Sequence, residues 1–237
     1  MPVRLGETLL EPGARGHHLV PLGRRPDGSQ IGVPLIGVQG ARPGPTLGII
    51  AGIHGDEYEG PEAVRLLLAE LDPAELRGGI ICAPVANVAA YENFHRVGPI
   101  DHLDLNRVFP GKSDGSLTER VAAALVNEVV AQSTALLDLH SAGFAYDLYP
   151  YVGFNATPGA TGEASFAIAK AFAVPVLYAS TPFPNVLRLE AAKRDIPAIL
   201  VEIGGEARCD PAGVARMQRG LLNVLRQLGM TSRGKQS

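Results

Sequence analysis

Short, nearly continuous apolar runs recur along this chain, and between most of them apolar residues follow the spacing of an amphipathic helix. Such runs are typical of strands that are buried on both faces of a sheet. The predicted strands cover residues 17–22, 31–38, 46–53, 79–85, 135–140, 176–179 and 198–203. The predicted helices cover residues 57–71, 117–132, 162–172 and 211–228. Strands that alternate with helices favour an α/β fold layered around a sheet.

One long segment interrupts this alternation. Residues 87–115 are rich in polar residues, Gly and Pro and show no clear period. A loop of this length inside a compact domain is usually functional. Several polar side chains also fall at the ends of predicted strands, where open α/β sheets bind ligands. We therefore look for chemistry in these two kinds of position.

Composition narrows the function classes. The chain has 237 residues, 46% of them hydrophobic and 19% charged, which predicts one compact globular domain. Its 21 basic and 24 acidic side chains give a net charge of −3 without a basic run, so neither nucleic acid nor a membrane is an expected partner. Residues 1–18 lack the apolar core of a signal peptide and no apolar run approaches ~18 residues, so neither a signal peptide nor a membrane helix is expected. Cys82 and Cys209 lack CxxC spacing and are predicted to be reduced thiols of a cytoplasmic protein.

The first candidate site is the motif IHGDE, which follows the predicted strand at 46–53. His54 and Glu57 are three residues apart, so an imidazole and a carboxylate could bind one cation from a single turn, although such pairs also occur by chance on surface helices. His140 could complete a His, Glu, His set. Three protein ligands leave the fourth tetrahedral position of zinc open for water, as in catalytic zinc sites.

Asp138 and His140 end another apolar strand and share one face of it by alternation. Each unsatisfied polar group at such a position costs about 1–3 kcal/mol, so the pair is expected to be hydrogen-bonded or metal-bound. A further carboxylate, Glu202, interrupts the apolar run AILVEI. It is either the partner of an arginine such as Arg208 or a general base that takes a proton from water and passes it to a leaving amine.

The long loop contains the pair Asn106-Arg107. A guanidinium binds a carboxylate through two parallel hydrogen bonds, and an amide beside it adds a donor. The pair therefore either binds a substrate carboxylate or stabilises its own loop.

Four motifs in this order, GIHGDEYEG, DLNRVFPG, LLDLHSAG and IPAILVEIGG, resemble the succinylglutamate desuccinylase/aspartoacylase family of the zinc carboxypeptidase superfamily. The resemblance extends from about Gly32 to Gly229. It implies a three-layer α/β/α sandwich around a mixed, largely parallel sheet. It also implies one zinc ion per chain, bound by His54, Glu57 and His140.

The same resemblance implies roles for the remaining site residues. Glu202 would be the catalytic acid/base, and Asn106 and Arg107 would hold a substrate carboxylate. Asp104 would orient the imidazole of His54 without binding the metal itself. Arg96 falls where the family places an arginine that polarises the scissile carbonyl and stabilises its oxyanion. Arg188 is a further candidate for a carboxylate contact.

The implied activity is zinc-dependent hydrolysis of the amide bond of an N-acyl amino acid or related small amine. Two alternatives stay open: a metallocarboxypeptidase acting on small peptides, and a metal-binding module without catalysis. The residues do not choose among acyl groups or amino acids, and they do not specify an oligomeric state.

The sequence also gives an expectation for the domain organisation. Family members usually continue beyond the helix near Gly229 into a β-rich C-terminal segment that shapes substrate access. Residues 1–237 are therefore expected to form a single catalytic domain without that segment, which makes the chain either a truncated member or one with a more open site. The polar tail from Thr231 is predicted to be a frayed end.

Overall fold

The computed structural model describes residues 2–232, and its centre is an eight-stranded sheet with helices on both faces. The strands are β1 (Arg4–Leu5), β2 (Thr8–Leu9), β3 (Arg15–Arg24), β4 (Gln30–Gln39), β5 (Arg42–Ala51), β6 (Arg77–Ala83), β7 (Ala135–His140), β8 (Asp147–Asn155), β9 (Val176–Ser180) and β10 (Ala198–Gly205). The helices are α1 (Glu59–Glu70), α2 (Val88–Glu92), α3 (Leu117–Glu128), α4 (Ala160–Phe172), α5 (Leu187–Ala192) and α6 (Pro211–Gln227), with short 3₁₀ turns at Leu105–Arg107 and Val130–Gln132. This arrangement confirms the predicted α/β sandwich.

The main sheet has the strand order β3-β4-β6-β5-β7-β10-β8-β9. Its centre is parallel, because β5 pairs in parallel with β6 and β7, and β7 pairs in parallel with β10. Antiparallel pairs join β3 to β4, β4 to β6, and β8 to β10. The sheet is therefore mixed and largely parallel, and the carboxyl ends of β5, β7 and β10 meet at one edge.

Alternation along the central strands divides the hydrophobic core between the two faces of the sheet. Leu137 of β7 packs in the cluster that includes apolar residues of α1, α4 and α6. Its neighbour Leu136 packs in the cluster formed with α3, α5 and the β1–β2 hairpin. Because Asp138 and His140 alternate with Leu137, both point to the α3 and α5 face of the sheet.

Most predicted elements match observed ones to within a few residues, but among the described residues β1, β2, β8, α2 and α5 were not predicted. β8 has the sequence DLYPYVGFN, in which Pro150 and Gly153 obscure the apolar pattern of a strand. α5 has only 6 residues, too few to show a helical period. The first helix was predicted from residue 57, but it begins at Glu59. Glu57 therefore lies in the turn before α1.

Within residues 2–232, no helix combines the length and the apolar character that crossing a bilayer requires. The greater part of the predicted frayed tail, residues 233–237, lies outside the described range.

Candidate metal centre and active site

Three buried side chains converge at the edge of the sheet where the parallel strands end. Nδ1 of His54 lies 2.7 Å from Oε1 of Glu57, and Nδ1 of His140 lies 2.9 Å from Oε2 of the same carboxylate. One ligand atom from each residue lies within 4.8 Å of the others. The structure therefore brings together the three residues that the sequence nominated, in a geometry that could hold a metal ion.

The turn that carries His54 and Glu57 is held against helix α2. A Cβ atom on Gly55 would lie 2.1 Å from the carbonyl carbon of Ala90, so only glycine allows this approach of the two backbones. The amide of Gly55 also donates to the carbonyl oxygen of His95 at 3.0 Å. The loop that contains Arg96 is thereby fixed to the turn with the candidate ligands.

In each imidazole, the nitrogen that does not contact Glu57 contacts a second carboxylate. Nε2 of His54 lies 3.1 Å from Oδ1 of Asp104, and Nε2 of His140 lies 2.8 Å from Oδ1 of Asp138. Carboxylates in this position orient metal-binding histidines and raise their basicity. The sequence implied this role for Asp104 but assigned none to Asp138, although Asp138 was seen to share a face with His140.

These charges fit a divalent cation. Burial alone would lower the pKa of His140, yet the carboxylates of Asp138 and Glu57 raise it well above its ordinary value. Burial likewise opposes the shift at Glu57, but His140 and His54 lower the pKa of its carboxyl. With neutral imidazoles, the carboxylates of Glu57, Asp104 and Asp138 leave a buried excess of negative charge beside two nitrogen donors. That donor set matches the nitrogen and oxygen ligands of zinc.

Glu202 lies directly beside the candidate ligands, because it pairs in register with His140 across β10 and β7. Its Oε2 atom is buried and has no hydrogen-bond partner among the described residues. Burial raises the pKa of Glu202 to about 8, although the positive charge of His140 lowers it. A carboxyl with such a pKa can exchange a proton near neutral pH. Arg208, the alternative partner, forms ion pairs with Glu206 and Asp147.

Asn106 and Arg107, the candidate residues of the long loop, differ in burial and in the contacts they make. Arg107 is exposed and donates to the carbonyl oxygen of Asn106 at 2.7 Å. Asn106 is buried, and its Oδ1 accepts from the amide of Leu187 at 3.0 Å. Its Nδ2 lies 3.4 Å from Nε2 of His140. Asn106 thus connects the candidate metal ligands to the start of α5.

Arg96 reaches the same cluster from the solvent side. Its guanidinium nitrogens lie 3.4 Å from Oε1 of Glu57 and 3.4 Å from Oδ2 of Asp104. The Arg96 side chain is 44% exposed. Its positive charge therefore lies at the opening of the site, next to the candidate ligands.

Arg188 provides a second positive charge, inside the site. It is only 8% exposed, and its guanidinium donates to Oδ1 of Asn155 at 3.3 Å and to Oγ of Ser180 at 3.1 Å. Both partners are neutral. Burial lowers the pKa of Arg188, although Asp138 opposes the shift. A guanidinium held in this way on a cavity wall is available to an anionic ligand group.

Tyr151 and Asp56 complete the polar wall, and the sequence had assigned neither to the site. Burial, followed by the charge of Glu202, raises the pKa of Tyr151 to about 12, so its phenol stays a donor. Asp56 lies in the non-helical turn before α1 and lines the cavity. Only the long-range pairing of β8 with β10 places Tyr151 here.

Except for Asp104, the candidate site residues line one cavity of about 580 Å³. Its polar wall includes His54, Asp56, Glu57, Arg96, Asn106, Arg107, Asp138, His140, Ser141, Tyr151, Ser180, Arg188 and Glu202. Asp104 is not part of this wall and contacts the site through His54 and Arg96. A cavity of this size, lined by convergent polar groups with shifted pKa values, is typical of an active site.

Comparison with known proteins gives a curated relative that is named as a deacetylase. The chain is 33% identical over 190 residues to the N-alpha-acetyl-L-2,4-diaminobutyric acid deacetylase of Halomonas elongata. That match covers 79% of this chain and 56% of the relative, so the chain spans little more than half the length of this curated relative.

Two solved structures are similar over most of this chain. A succinylglutamate desuccinylase/aspartoacylase from Rhodobacter sphaeroides has a TM-score of 0.85 and 30% identity, over 92% of this chain and 66% of its own. The product-bound ectoine utilization protein EutE (DoeB) from Ruegeria pomeroyi has a TM-score of 0.90 and 28% identity, over 99% of this chain and 73% of its own.

Residues 43–228 match the family model of the succinylglutamate desuccinylase/aspartoacylase catalytic domain. This range contains the candidate metal ligands, the carboxylates of Asp104 and Asp138, Glu202 and the three arginines of the cavity wall. The chain therefore belongs to the succinylglutamate desuccinylase/aspartoacylase family.

Proposed function

We propose that this chain hydrolyses the amide bond of N-acyl amino acids with one zinc ion bound by His54, Glu57 and His140. The observation that carries the proposal is the position of Glu202, whose buried Oε2 atom has no hydrogen-bond partner among the described residues, directly beside the His-Glu-His cluster. A relative named as a deacetylase of an N-acetylated amino acid supports the same reaction.

In the proposed reaction, zinc, Glu202 and Arg96 each have a separate role. Zinc, when bound, would polarise the scissile carbonyl and lower the pKa of a water from 15.7 to about 7. Glu202 accepts the proton of the attacking water and returns it to the leaving amine. Arg96 faces the opening beside the ligands, where its guanidinium stabilises the negative charge that develops on the carbonyl oxygen.

The substrate carboxylate is held by positive charge on the cavity wall. Arg188 points into the cavity with two neutral partners, and Arg107 lies at the same opening. Asn106 positions α5, which carries Arg188, through its bond to Leu187. A carboxylate bound at these groups would place the adjoining amide over the metal ligands.

Substrate size tests this proposal. We would measure amine release by the zinc-loaded protein from N-acetyl, N-formyl and N-succinyl derivatives of aspartate, glutamate and 2,4-diaminobutyrate. Tripeptides and longer peptides serve as the comparison. We expect turnover of the small N-acyl amino acids and rejection of peptides longer than a dipeptide. Release of C-terminal residues from long peptides alone would make the protein a metallocarboxypeptidase, and zinc binding without any turnover would make it a metal-binding module.

Replacing Arg188 tests the carboxylate anchor. Hydrogen bonds to charged groups contribute about 1.5–3 kcal/mol, so we expect Arg188→Met to raise KM by roughly 10–100-fold and to change kcat less. Steady-state kinetics on the best substrate of the panel measures both constants. Arg65→Met is the matched control, because Arg65 pairs with Glu62 on the exposed face of α1. An unchanged KM in Arg188→Met would show that the carboxylate binds elsewhere.

Replacing Asp138 tests the role of the two carboxylates, of Asp104 and Asp138, that contact Nε2 of the histidines. Removing such a partner of a metal-binding histidine typically costs 10–100-fold in metal affinity, and we expect a loss of about this size for Asp138→Asn. Asparagine keeps the shape of this buried side chain and removes its charge. Competition with a chelating dye gives the zinc Kd, and Asp147→Asn, an exposed substitution at the start of β8, should leave it unchanged. Equal Kd values for both variants would mean that Asp138 does not support His140.

A further inference from the structure

Four large aromatic side chains surround the outer part of the cavity and are largely exposed to solvent. Their exposed fractions are 79% for Phe144, 70% for Tyr146, 59% for Tyr178 and 74% for Phe183. All four line the same cavity as the candidate metal ligands. We call them the aromatic rim. A concentration of exposed apolar surface around one opening usually marks a place where a ligand binds.

The two sides of the rim come from different parts of the chain. Phe144 and Tyr146 lie between β7 and β8, whereas Tyr178 lies on β9 and Phe183 in the loop that leads to α5. The first side is fixed to the metal-binding turn, because the amide of Phe144 donates to Oδ2 of Asp56 at 2.9 Å. On the other side, the ring of Tyr178 packs edge-on against Tyr151, with their centroids 6.4 Å apart. The rim is therefore a preformed wall of the site.

Charge and apolar surface are separated within the cavity. The inner wall carries the candidate ligands, Glu202 and the buried Arg188, whereas the outer wall is aromatic. A substrate whose carboxylate binds at Arg188 and whose amide lies over the ligands has its amino-acid side chain on the Arg188 side of the amide, and on the other side its acyl group. That group extends toward the opening, where it meets the rim.

The size of the cavity argues in the same direction. Its volume of about 580 Å³ falls within the range of pockets that enclose drug-sized ligands, roughly 300–1,000 Å³. An N-acetyl amino acid is much smaller than such a ligand and would leave the aromatic wall uncovered. An acyl group that reaches the rim would remove apolar surface from water on both sides.

We propose that the preferred substrates carry an apolar acyl group larger than acetyl, a medium-length alkanoyl or an arylalkanoyl group, which the aromatic rim buries. This inference rests on the proposed function, since it concerns the acyl side of the same amide. Each buried methylene is expected to increase affinity roughly fourfold. Selectivity therefore increases with acyl length up to the length that fills the rim.

A grid of substrates tests the inference. It combines acetyl, butyryl, hexanoyl and phenylacetyl groups with aspartate, glutamate and 2,4-diaminobutyrate. We would measure kcat/KM with the zinc-loaded protein and, by calorimetry, the Kd of the same compounds for Glu202→Gln, in which the rim is intact. We expect hexanoyl and phenylacetyl compounds to exceed their acetyl counterparts by at least about tenfold in both quantities. Equal or better values for the acetyl compounds would overturn the inference.

Rim variants locate the effect. In Phe144→Ala/Phe183→Ala, the ratio of hexanoyl to acetyl affinity should fall toward one, whereas Tyr149→Ala should preserve it. Tyr149 is 70% exposed but lies outside the cavity, so it controls for the general loss of surface aromatic area. A ratio that survives the double substitution would overturn the assignment of the rim. Length-dependent binding without turnover would contradict the proposed function and leave this inference standing, and turnover that does not depend on length would do the reverse.

Discussion

Replacing Glu202 by glutamine should abolish most turnover while leaving metal binding intact. General acid–base catalysis typically contributes 10²–10⁴-fold, and we expect the rate of amine release to fall by about this factor. Glutamine has the shape of glutamate but cannot accept the proton of the attacking water. Because Glu202 lies beside the His-Glu-His cluster and is not one of its three ligands, zinc content should stay at that of the parent protein. Initial rates and elemental analysis of the same samples measure both quantities.

Glu163→Gln is the control for this substitution. Glu163 lies in the first turn of α4 on the protein surface, so the same chemical change there should leave the rate unchanged. Turnover in Glu202→Gln within a few-fold of the parent would exclude Glu202 as the base. Loss of zinc together with activity would instead indicate that Glu202 is a ligand.

The second large effect is expected from His140→Ala, which removes one of the three proposed zinc ligands. The parent protein should gain about 2.7 kcal/mol of stability when free zinc is at 100 times its Kd. The variant should gain almost none at the same zinc concentration, because the remaining His54 and Glu57 bind weakly. Thermal unfolding with and without zinc, together with zinc stoichiometry, measures this difference.

Two further variants make the His140 result interpretable. His140 is buried, so the deletion could also weaken packing, and His140→Asn retains more of the side-chain volume. His17→Ala is the matched control on the exposed edge strand β3. Full zinc stoichiometry in a folded His140→Ala protein would contradict the ligand assignment.

The sequence predicted the central sheet well because its strands are buried on both faces. An aliphatic run such as the one that forms β7 is favourable only in a strand whose two faces are both buried. The predicted range 135–140 agrees with the observed strand. The predicted family and fold are confirmed by the family match and by the similar solved structures. The candidate ligands could be nominated because their spacing repeats a known motif and because polar residues at buried strand ends require partners.

Contacts between distant segments were beyond the reach of local patterns. Asn106 binds the amide of Leu187, 81 residues away in the chain, so its structural role is invisible in its own loop. The aromatic rim combines residues from two separate segments around β8 and β9, which come together only in the folded sheet. Arg188 becomes interpretable only once α5 and its neutral partners are known. The roles assigned to individual site residues, the single domain over residues 1–237 and the cytoplasmic location stay predictions.

The central claim is that amide hydrolysis depends on zinc bound by His54, Glu57 and His140. The most direct measurement is amine release from N-acyl amino acids by protein that has been stripped with a chelator and then titrated with zinc. The account predicts that the stripped protein is inactive and that the rate rises linearly with zinc until one ion is bound per chain. Full activity in the stripped protein, or no activity when one zinc ion is bound per chain, would contradict it.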